Sequence, residues 1–191
     1  MYNLKGIIMV TIVFAHPWHG SFNKSILDTI ASKLDKTNKQ YIVLDLNKDK
    51  FNPVTTEEDL KLYYKGSSSD PLVNHYQSVL KKSEEVIFIF PIWWGTAPAI
   101  LRGFLDKVFL VNFSHTYENG WTPLLNINKT VVITTSQSPS EMFISSIGDN
   151  FIKENLEIVG FQNAVWLNCD NVGFGTDEYR KSFIKNVEEI I

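Results

Sequence analysis

Residues 7–23 read IIMVTIVFAHPWHGSFN and join an apolar run to a loop that holds two histidines, a proline and a glycine. The run from Ile7 to Phe14 lacks the alternation of polar and apolar residues, which is typical of a parallel strand covered on both faces of its sheet. A helical pattern begins after the loop, at about Phe22. The stretch therefore predicts a buried strand, a loop and a helix, the opening of a strand–helix–strand unit.

The same alternation continues along the rest of the chain. Four more apolar runs predict strands at Tyr41–Leu46, Val86–Phe90, Thr130–Thr134 and Ala164–Leu167. Helical patterns occupy residues 22–34, 56–66, 70–80, 96–113 and the segment from 176 onward, the fourth with Pro98 in its first turn and its apolar residues facing inward: Ile100, Leu101, Phe104, Leu105, Val108 and Phe109. We expect an α/β fold, a doubly wound parallel sheet with helices on both faces, in a single domain over residues 1–191.

Composition and charge argue against several classes of partner. A net charge of −3 gives no electrostatic reason to expect nucleic acid or an anionic membrane. The single cysteine, Cys169, cannot form an internal disulfide, which fits a reducing compartment. The apolar run near the N-terminus ends within about ten residues, too few to span a bilayer. We therefore predict a cytoplasmic protein without direct membrane insertion.

Three loops are the places to look for a ligand, because open α/β sheets bind ligands beyond the carboxyl ends of their strands. They follow the first, third and fourth predicted strands and read AHPWHGSFN (15–23), PIWWGTAP (91–98) and TSQSPSEMF (135–143). All three are rich in small polar residues, prolines or aromatics. We expect them to meet at one edge of the sheet.

The first loop runs into a helix start, where free N–H groups and the helix dipole favour an anion. Ser21 and Asn23 can add a hydroxyl and an amide, and His16 or His19 a charge-assisted contact, although Ser21 is equally well explained as a helix cap. No metal is predicted, because zinc needs three or four protein ligands and nothing near the two histidines completes the set. The chain contains neither the GxGxxG fingerprint at this turn nor a P-loop.

The second loop carries two adjacent tryptophans, Trp93 and Trp94. Large aromatics on a loop need a partner to cover them, and a planar ligand would supply one. The alternative is packing beneath the following helix, which we expect for one of the two.

Four stretches together resemble a known family: FAHPWHGSFN (14–23), DLNKDKFNPVTTEEDL (45–60), FPIWWGTAPAILRGFLDKVF (90–109) and VVITTSQSP (131–139). They are similar to the flavodoxin-like NAD(P)H:quinone oxidoreductases of the DT-diaphorase family, and in particular to its short bacterial members, which include ancillary oxidoreductases of potassium-efflux systems. The similarity runs to about residue 140, some three-quarters of the chain. It implies a five-stranded flavodoxin-like sheet of order 2-1-3-4-5, a non-covalent flavin and a homodimer.

The resemblance also implies cofactor-binding residues in all three loops. The loop that holds the flavin phosphate matches His16, Ser21, Phe22 and Asn23. The segment along the isoalloxazine matches Pro91, Ile92, Trp93 and Trp94, and the loop around the ring's polar edge matches Thr134, Thr135, Ser136 and Gln137. Longer family members have two glycines where this chain has Ser136 and Gln137, so the contacts there are expected to differ.

The family's animal members use a tyrosine and a histidine after the last loop to assist proton movement. Phe143 stands near the tyrosine position, and no histidine follows it in this chain, so the resemblance does not imply that relay here. In SHTYENGW, His115 and Tyr117 match two aromatic positions that border the substrate pocket. They are the candidates for a pocket wall and a proton donor, with an exposed loop histidine as the alternative for His115.

The implied activity is that of an NAD(P)H dehydrogenase (quinone)-type flavoprotein. NAD(P)H would deliver a hydride to the flavin, and a quinone-like, azo or nitroaromatic acceptor would then take two electrons at the same face, with ping-pong kinetics. The chain lacks the C-terminal extension of the long FAD-binding members, so FMN is expected, with FAD possible. A regulatory flavoprotein subunit of a potassium-efflux system and a flavodoxin-like electron carrier remain alternatives, although carriers are usually more acidic than this chain.

Overall fold

The computed structural model describes residues 9–191. Ile7 and Ile8, the first residues of the predicted first strand, lie outside the described residues. The described chain forms a five-stranded parallel sheet, a short two-stranded sheet and the helices around them. The strands are β1 (Met9–Phe14), β2 (Gln40–Asp45), β3 (Glu85–Pro91), β4 (His115–Thr116), β5 (Thr122–Pro123), β6 (Lys129–Thr135) and β7 (Ala164–Cys169).

The large sheet has the order β2-β1-β3-β6-β7, so the predicted order 2-1-3-4-5 is confirmed. Every pair in it is parallel, with β1 between β2 and β3. The central strand β3 is buried along its whole length. The edge strands β2 and β7 are only partly covered, which differs from the expectation of burial on both faces. Edge strands have one neighbour each, and their apolar composition alone does not distinguish them from central ones.

Residues 9–191 contain five α-helices, the first four between strands and the last after β7: α1 (Phe22–Lys36), α2 (Glu57–Tyr63), α3 (Pro71–Leu80), α4 (Ala99–Val108) and α5 (Asp177–Ile190). Their starts follow local chemistry. Thr56 and Asp59 form a reciprocal capping box at α2, and the Asp70 side chain caps α3 with Pro71 in its first turn. Two clusters of buried apolar side chains fill the space on the two faces of the sheet.

Two regions differ from the predicted elements. Helix α4 is shorter than predicted: Pro98 caps it instead of lying within it, it ends at Val108, and Ile100 is half-buried. Phe109 is buried but lies beyond the helix, since an apolar run is compatible with helix or with a buried loop. The sequence also failed to indicate β4, β5 and a helical segment between β6 and β7, which comprises Ser140–Phe143 (3-10), Ile144–Leu156 (π) and Glu157–Val159 (3-10).

Candidate active site

The loop between β1 and α1 presents unused donors at the helix start. Ser21 caps α1: its hydroxyl oxygen accepts the Lys24 N–H at 3.2 Å, and its carbonyl accepts the N–H groups of Lys24 and Ser25. Within residues 9–191, the N–H groups of Phe22 and Asn23 have no hydrogen-bond acceptor. Ser21 is thus a helix cap, and the remaining first-turn donors form the start of an anion site.

Asn23 joins this helix start to the loop after β6. Its side chain is 3% exposed, and its Oδ1 accepts the Thr135 hydroxyl at 2.8 Å. Its amide nitrogen Nδ2 is buried without a hydrogen-bond partner among the described residues. A buried donor left unpaired costs about 1–3 kcal/mol, so this nitrogen marks a place where a ligand acceptor would be favourable.

His16 faces the second loop as a neutral imidazole. Its Nδ1 accepts the Trp18 N–H at 3.1 Å, which places the ring proton on Nε2. Burial lowers the pKa of His16 from 6.5, and the neighbouring His19 lowers it further. The ring lies edge-on to Trp93, with centroids 5.8 Å apart. His16 can therefore donate one neutral hydrogen bond, whereas the sequence had suggested a charge-assisted contact.

The second loop makes a tight turn that projects Trp94 into solvent. Trp93 and Thr96 exchange two backbone hydrogen bonds of 3.0 and 3.1 Å, and the two residues between them, Trp94 and Gly95, have φ of +51° and +77°. This is a type I′ turn, which favours glycine or asparagine at both central positions. Trp94 is fully exposed and Trp93 is 45% exposed, so the prediction that one of them packs beneath α4 is wrong.

The third loop is held by a polar network that the sequence did not indicate. The amide nitrogen of Asn168, on β7, donates to the hydroxyls of Ser136 at 2.8 Å and Ser140 at 3.0 Å. The Asn168 Oδ1 accepts the Thr134 hydroxyl at 2.8 Å, and that hydroxyl accepts the Trp166 indole N–H at 2.8 Å. Asn168 itself was a signal for this network, since it is a polar residue near the carboxyl end of an apolar strand. Because β7 runs parallel to β6, both strands end at the same edge of the sheet.

The structure brings the three loops together. His16 contacts Trp93, Asn23 bonds Thr135, and the Ile92 N–H donates to the Thr135 carbonyl at 2.8 Å. All of the candidate cofactor-binding residues lie on these loops or at the strand ends beside them: His16, Ser21, Phe22, Asn23, Pro91, Ile92, Trp93, Trp94, Thr134, Thr135, Ser136 and Gln137. We call this region the three-loop edge.

His115 and Tyr117 lie elsewhere in the chain. They belong to the β4–β5 hairpin, which follows the far end of α4, a helix of ten residues and therefore about 15 Å long. His115 is buried and stacks on Trp121, with ring centroids 4.1 Å apart and an interplanar angle of 10°. His115 lines a cavity of about 380 Å³ to which none of the three loops contributes a residue. Within one chain, therefore, these two residues do not border the three-loop edge.

The hydrogen bonds of Ser114 define the state of His115. The Ser114 hydroxyl lies 3.2 Å from the Leu110 carbonyl, to which it donates its one hydrogen, and 2.9 Å from the His115 Nδ1. Nδ1 must then donate to the hydroxyl, which leaves the lone pair on Nε2, a buried atom without a partner in the described structure. Burial lowers the pKa of His115 from 6.5. Burial therefore favours the neutral ring of His115, with an acceptor at Nε2. The role of proton donor that the resemblance implied for His115 remains a prediction.

Comparison with known proteins agrees with this geometry. The sequence model of one family, described as having a flavodoxin-like fold, matches residues 9–188, almost the whole chain. The chain belongs to the flavodoxin-like family. This flavodoxin-like chain is 29% identical over 185 residues to a protein named uncharacterized NAD(P)H oxidoreductase YcaK from Escherichia coli, with 93% of this chain and 92% of the relative covered.

The name of a second relative states an activity. The rat protein named NAD(P)H dehydrogenase [quinone] 1 is 29% identical over 147 residues, and the match covers 68% of this chain and 54% of the relative. The flavodoxin-like chain thus aligns with about half the length of that protein. These relatives confirm the resemblance to NAD(P)H:quinone oxidoreductases that the loop sequences had indicated.

Two solved structures share the fold. An NAD(P)H:quinone oxidoreductase from Methanothermobacter marburgensis superposes with a TM-score of 0.86 at 23% identity, covering 96% of this chain and 97% of that one. An FMN-dependent NADH-azoreductase from Bacillus anthracis, in complex with FMN, superposes with a TM-score of 0.76 at 15% identity, covering 95% and 97%. At these identities the likeness establishes the flavodoxin-like fold alone.

The residues at the three-loop edge fit a flavin phosphate and ring. The two free N–H groups of Phe22 and Asn23, the Ser21 hydroxyl and the Asn23 side-chain amide suit an anionic group. The exposed Trp94 ring offers a flat apolar surface. Within residues 9–191, we find no group of three or more His, Cys, Asp or Glu side chains arranged to hold a metal ion. None of the helices in that range combines the length and apolar character needed to cross a membrane.

Proposed function

We propose that this chain is a flavin-dependent NAD(P)H oxidoreductase that passes two electrons to quinone-like acceptors by hydride transfer. The observation that carries the proposal is the three-loop edge, which combines unused donors at the start of α1 with a fully exposed Trp94 in a left-handed turn. A solvent-exposed indole in an unfavourable backbone conformation gains nothing inside the free chain, which is typical of a residue kept for a ligand.

The cofactor of this proposal is FMN, with FAD as the alternative, and NAD(P)H is the co-substrate. The FMN-bound azoreductase of the same fold supports the choice of FMN. A bound flavin would supply the two-electron hydride chemistry that links NAD(P)H to the acceptor. His16, Ser21 and Asn23 would hold its phosphate partly through side-chain donors, and Phe22 through its backbone N–H alone, because the Phe22 side chain packs on Phe183 of α5.

The other two loops would bind the ring. The side chains of Pro91, Ile92 and Thr134 are buried, so this part of the site offers backbone atoms and the two tryptophans. Within the described chain, the N–H groups of Gln137 and Ser138 have no acceptor, and the Asn168 network fixes the loop that carries them. Preorganised donors of this kind stabilise negative charge that develops on a reduced ring edge.

We further propose a homodimer built from single domains over residues 1–191, in which His115 and Tyr117 line the pocket of the second copy. Support comes from the position of both residues beyond the far end of α4, away from the three-loop edge of their own chain, and from the exposure of two aromatic side chains in this hairpin, Tyr117 at 53% and Trp121 at 45%. The lone pair on His115 Nε2 would accept a hydrogen bond from the O–H of the reduced acceptor, a quinol, and not from the oxidised quinone, which has no donor. The names of the relatives favour quinones as acceptors, with azo or nitroaromatic compounds as related candidates.

The decisive experiment is spectroscopic and kinetic. Purified protein, reconstituted with FMN, should show flavin absorbance and should oxidise NADH or NADPH with menadione as acceptor. Parallel double-reciprocal lines are expected if donor and acceptor use one site in turn. A variant at exposed His75 on α3, His75→Gln, serves as a matched control and should behave like the wild type. A colourless protein that takes up no FMN would refute the proposal, and intersecting lines would refute the shared site.

A further inference from the structure

His19, the second histidine of the β1–α1 loop, is paired with a carboxylate on the neighbouring strand. Its Nε2 lies 2.8 Å from Oδ2 of Asp45, the last residue of β2. The His19 side chain is 46% exposed, whereas that of Asp45 is 9% exposed. The imidazole N–H therefore donates to a nearly buried carboxylate from the solvent side.

Asp45 is a fixed anchor for this contact. It is paired in register with Phe14 of β1, and its Oδ1 accepts the Lys48 N–H at 3.0 Å. Its carbonyl accepts the Asp49 N–H at 2.9 Å. Both carboxylate oxygens are thus used, one for the turn after β2 and the other for His19.

The rest of the loop has few bonds to the sheet. The Ala15 N–H donates to the Ile89 carbonyl at 3.0 Å, and the Trp18 N–H and carbonyl bond only within the loop, to His16 and Ser21. Among residues 9–191, the His19–Asp45 pair is the sole side-chain hydrogen bond that joins residues 15–20 to another element. Without it, the Ala15 N–H would make the one remaining hydrogen bond from residues 15–20 to the sheet among the described residues, and only ring contacts such as that of His16 with Trp93 would add to it.

We infer that His19 is a positioning residue for the phosphate turn: its bond to Asp45 holds the loop so that the Ser21 hydroxyl and the Phe22 and Asn23 N–H groups stand ready for the flavin phosphate. The inference rests on the proposed function, since it assumes that the anion at this helix start belongs to a flavin. His19 acts through the loop, because its Nε2 is already used by Asp45.

The expected effect is selective for the phosphate. FMN and riboflavin differ only in the phosphate group, so loss of the tether should weaken FMN binding and leave riboflavin binding unchanged. We expect FMN binding to the apoprotein to weaken about tenfold, the size typical of one lost hydrogen bond to a charged group.

The test measures dissociation constants of FMN and riboflavin by flavin fluorescence for four variants. His19→Ala removes the donor, and His19→Gln retains an N–H that can reach the carboxylate. Asp45→Ser keeps an oxygen for the Lys48 N–H but is too short to reach His19. The double variant His19→Ala/Asp45→Ser tests whether both residues act through one contact. His75→Ala is the control, and circular dichroism checks that each variant is folded.

The inference requires that His19→Ala and Asp45→Ser weaken FMN alone, by similar factors, with no further loss in the double variant and with recovery in His19→Gln. Full FMN affinity in Asp45→Ser beside a loss in His19→Ala would mean that His19 contacts the phosphate directly, and the inference would be wrong. It would also be wrong if riboflavin binding fell equally. If the wild-type chain binds neither flavin, the proposed function fails first, and the inference fails with it.

Discussion

Trp94 shows how a single residue can mark a site. Its φ of +51° is unfavourable for any side chain with a Cβ, at a cost of about 1–2 kcal/mol, and its ring is fully exposed. The turn is stabilised by the two bonds between Trp93 and Thr96, which do not depend on the Trp94 side chain. The strained backbone of Trp94 therefore lowers the stability of the free protein, and the exposed indole makes no packing contacts that offset this loss.

This cost leads to a prediction about stability. Trp94→Gly should unfold with a free energy about 1 kcal/mol higher than Trp94→Ala, because glycine adopts positive φ without strain. Both variants should bind flavin or acceptor more weakly than the wild type, since both lack the indole. Urea unfolding of the two variants at one pH makes the comparison. Equal stabilities, or a less stable glycine variant, would show that the left-handed conformation costs nothing here.

A second prediction at this scale concerns His115 and pH. Burial lowers the pKa of folded His115 below its ordinary 6.5, so the unfolded chain binds a proton more readily than the folded chain. The stability contributed by neutral His115 is complete above about pH 6.5 and is lost as the pH falls toward the lower folded pKa.

The measurement is the free energy of unfolding at pH 7.5 and at pH 5.5. His115→Gln should lose less stability between these values than the wild type, by at most about 1.4 kcal/mol per pH unit. His75→Gln, on the surface of α3, should follow the wild type. His16, whose pKa burial also lowers, contributes equally to all three proteins and cancels in the comparison.

At the scale of elements, α4 is fixed by close approach to the segment after β2. A Cβ on Gly103 would lie 2.3 Å from the carbonyl oxygen of Pro53, so only glycine permits this packing. The buried Lys107, one turn later, reaches the Asn52 carbonyl at 3.1 Å and Asp70 at 3.4 Å. Since α4 begins just after the Trp94 turn, these contacts also hold one side of the three-loop edge.

Two glycine substitutions test this packing as a matched pair. Gly103→Ala should destabilise the fold by about 1–3 kcal/mol, because the backbone of Pro53 must move. Gly148→Ala, in the helical segment after β6, meets no atom closer than 4.0 Å and should be neutral or stabilising by up to about 1 kcal/mol. Thermal or urea unfolding separates the two, and equal effects would contradict the close approach at α4.

Helix starts were predictable from the sequence, whereas the end of α4 and the β4–β5 hairpin were not. The caps of α1, α2 and α3 are local, since each involves residues within three positions of the helix start, and the sequence predicted them. The end of α4 at Val108 depends on how the following apolar residues pack, so no local signal marked it. The β4–β5 hairpin has two residues per strand, too few for a detectable pattern.

At the scale of the whole molecule, flavin binding should couple to folding. A ligand that binds only the folded chain, at one hundred times its dissociation constant, stabilises it by about 2.7 kcal/mol. For a domain of this size that corresponds to a rise in Tm of roughly 5–10 °C. Differential scanning fluorimetry with FMN, and with NADPH alone as the control, measures the shift. An unchanged Tm at saturating FMN would contradict the proposed cofactor.

The sequence by itself determined the class of fold, the place of the ligand loops and the family resemblance. Buried parallel strands need continuous apolar runs, and loops at strand ends need turn residues, so both leave marks within a few positions of the chain. Those signals predicted β1, β3 and β6 and the three loops that follow them.

Only the tertiary structure decided how distant residues pair. The bonds of Asp45 to His19 and of Asn168 to Ser136 join positions 26 and 32 residues apart. The left-handed turn at Trp94 could not be predicted from the sequence either, because tryptophan disfavours positive φ. Such pairings depend on which strand ends lie side by side, and that follows from the order of the sheet instead of the order of the chain.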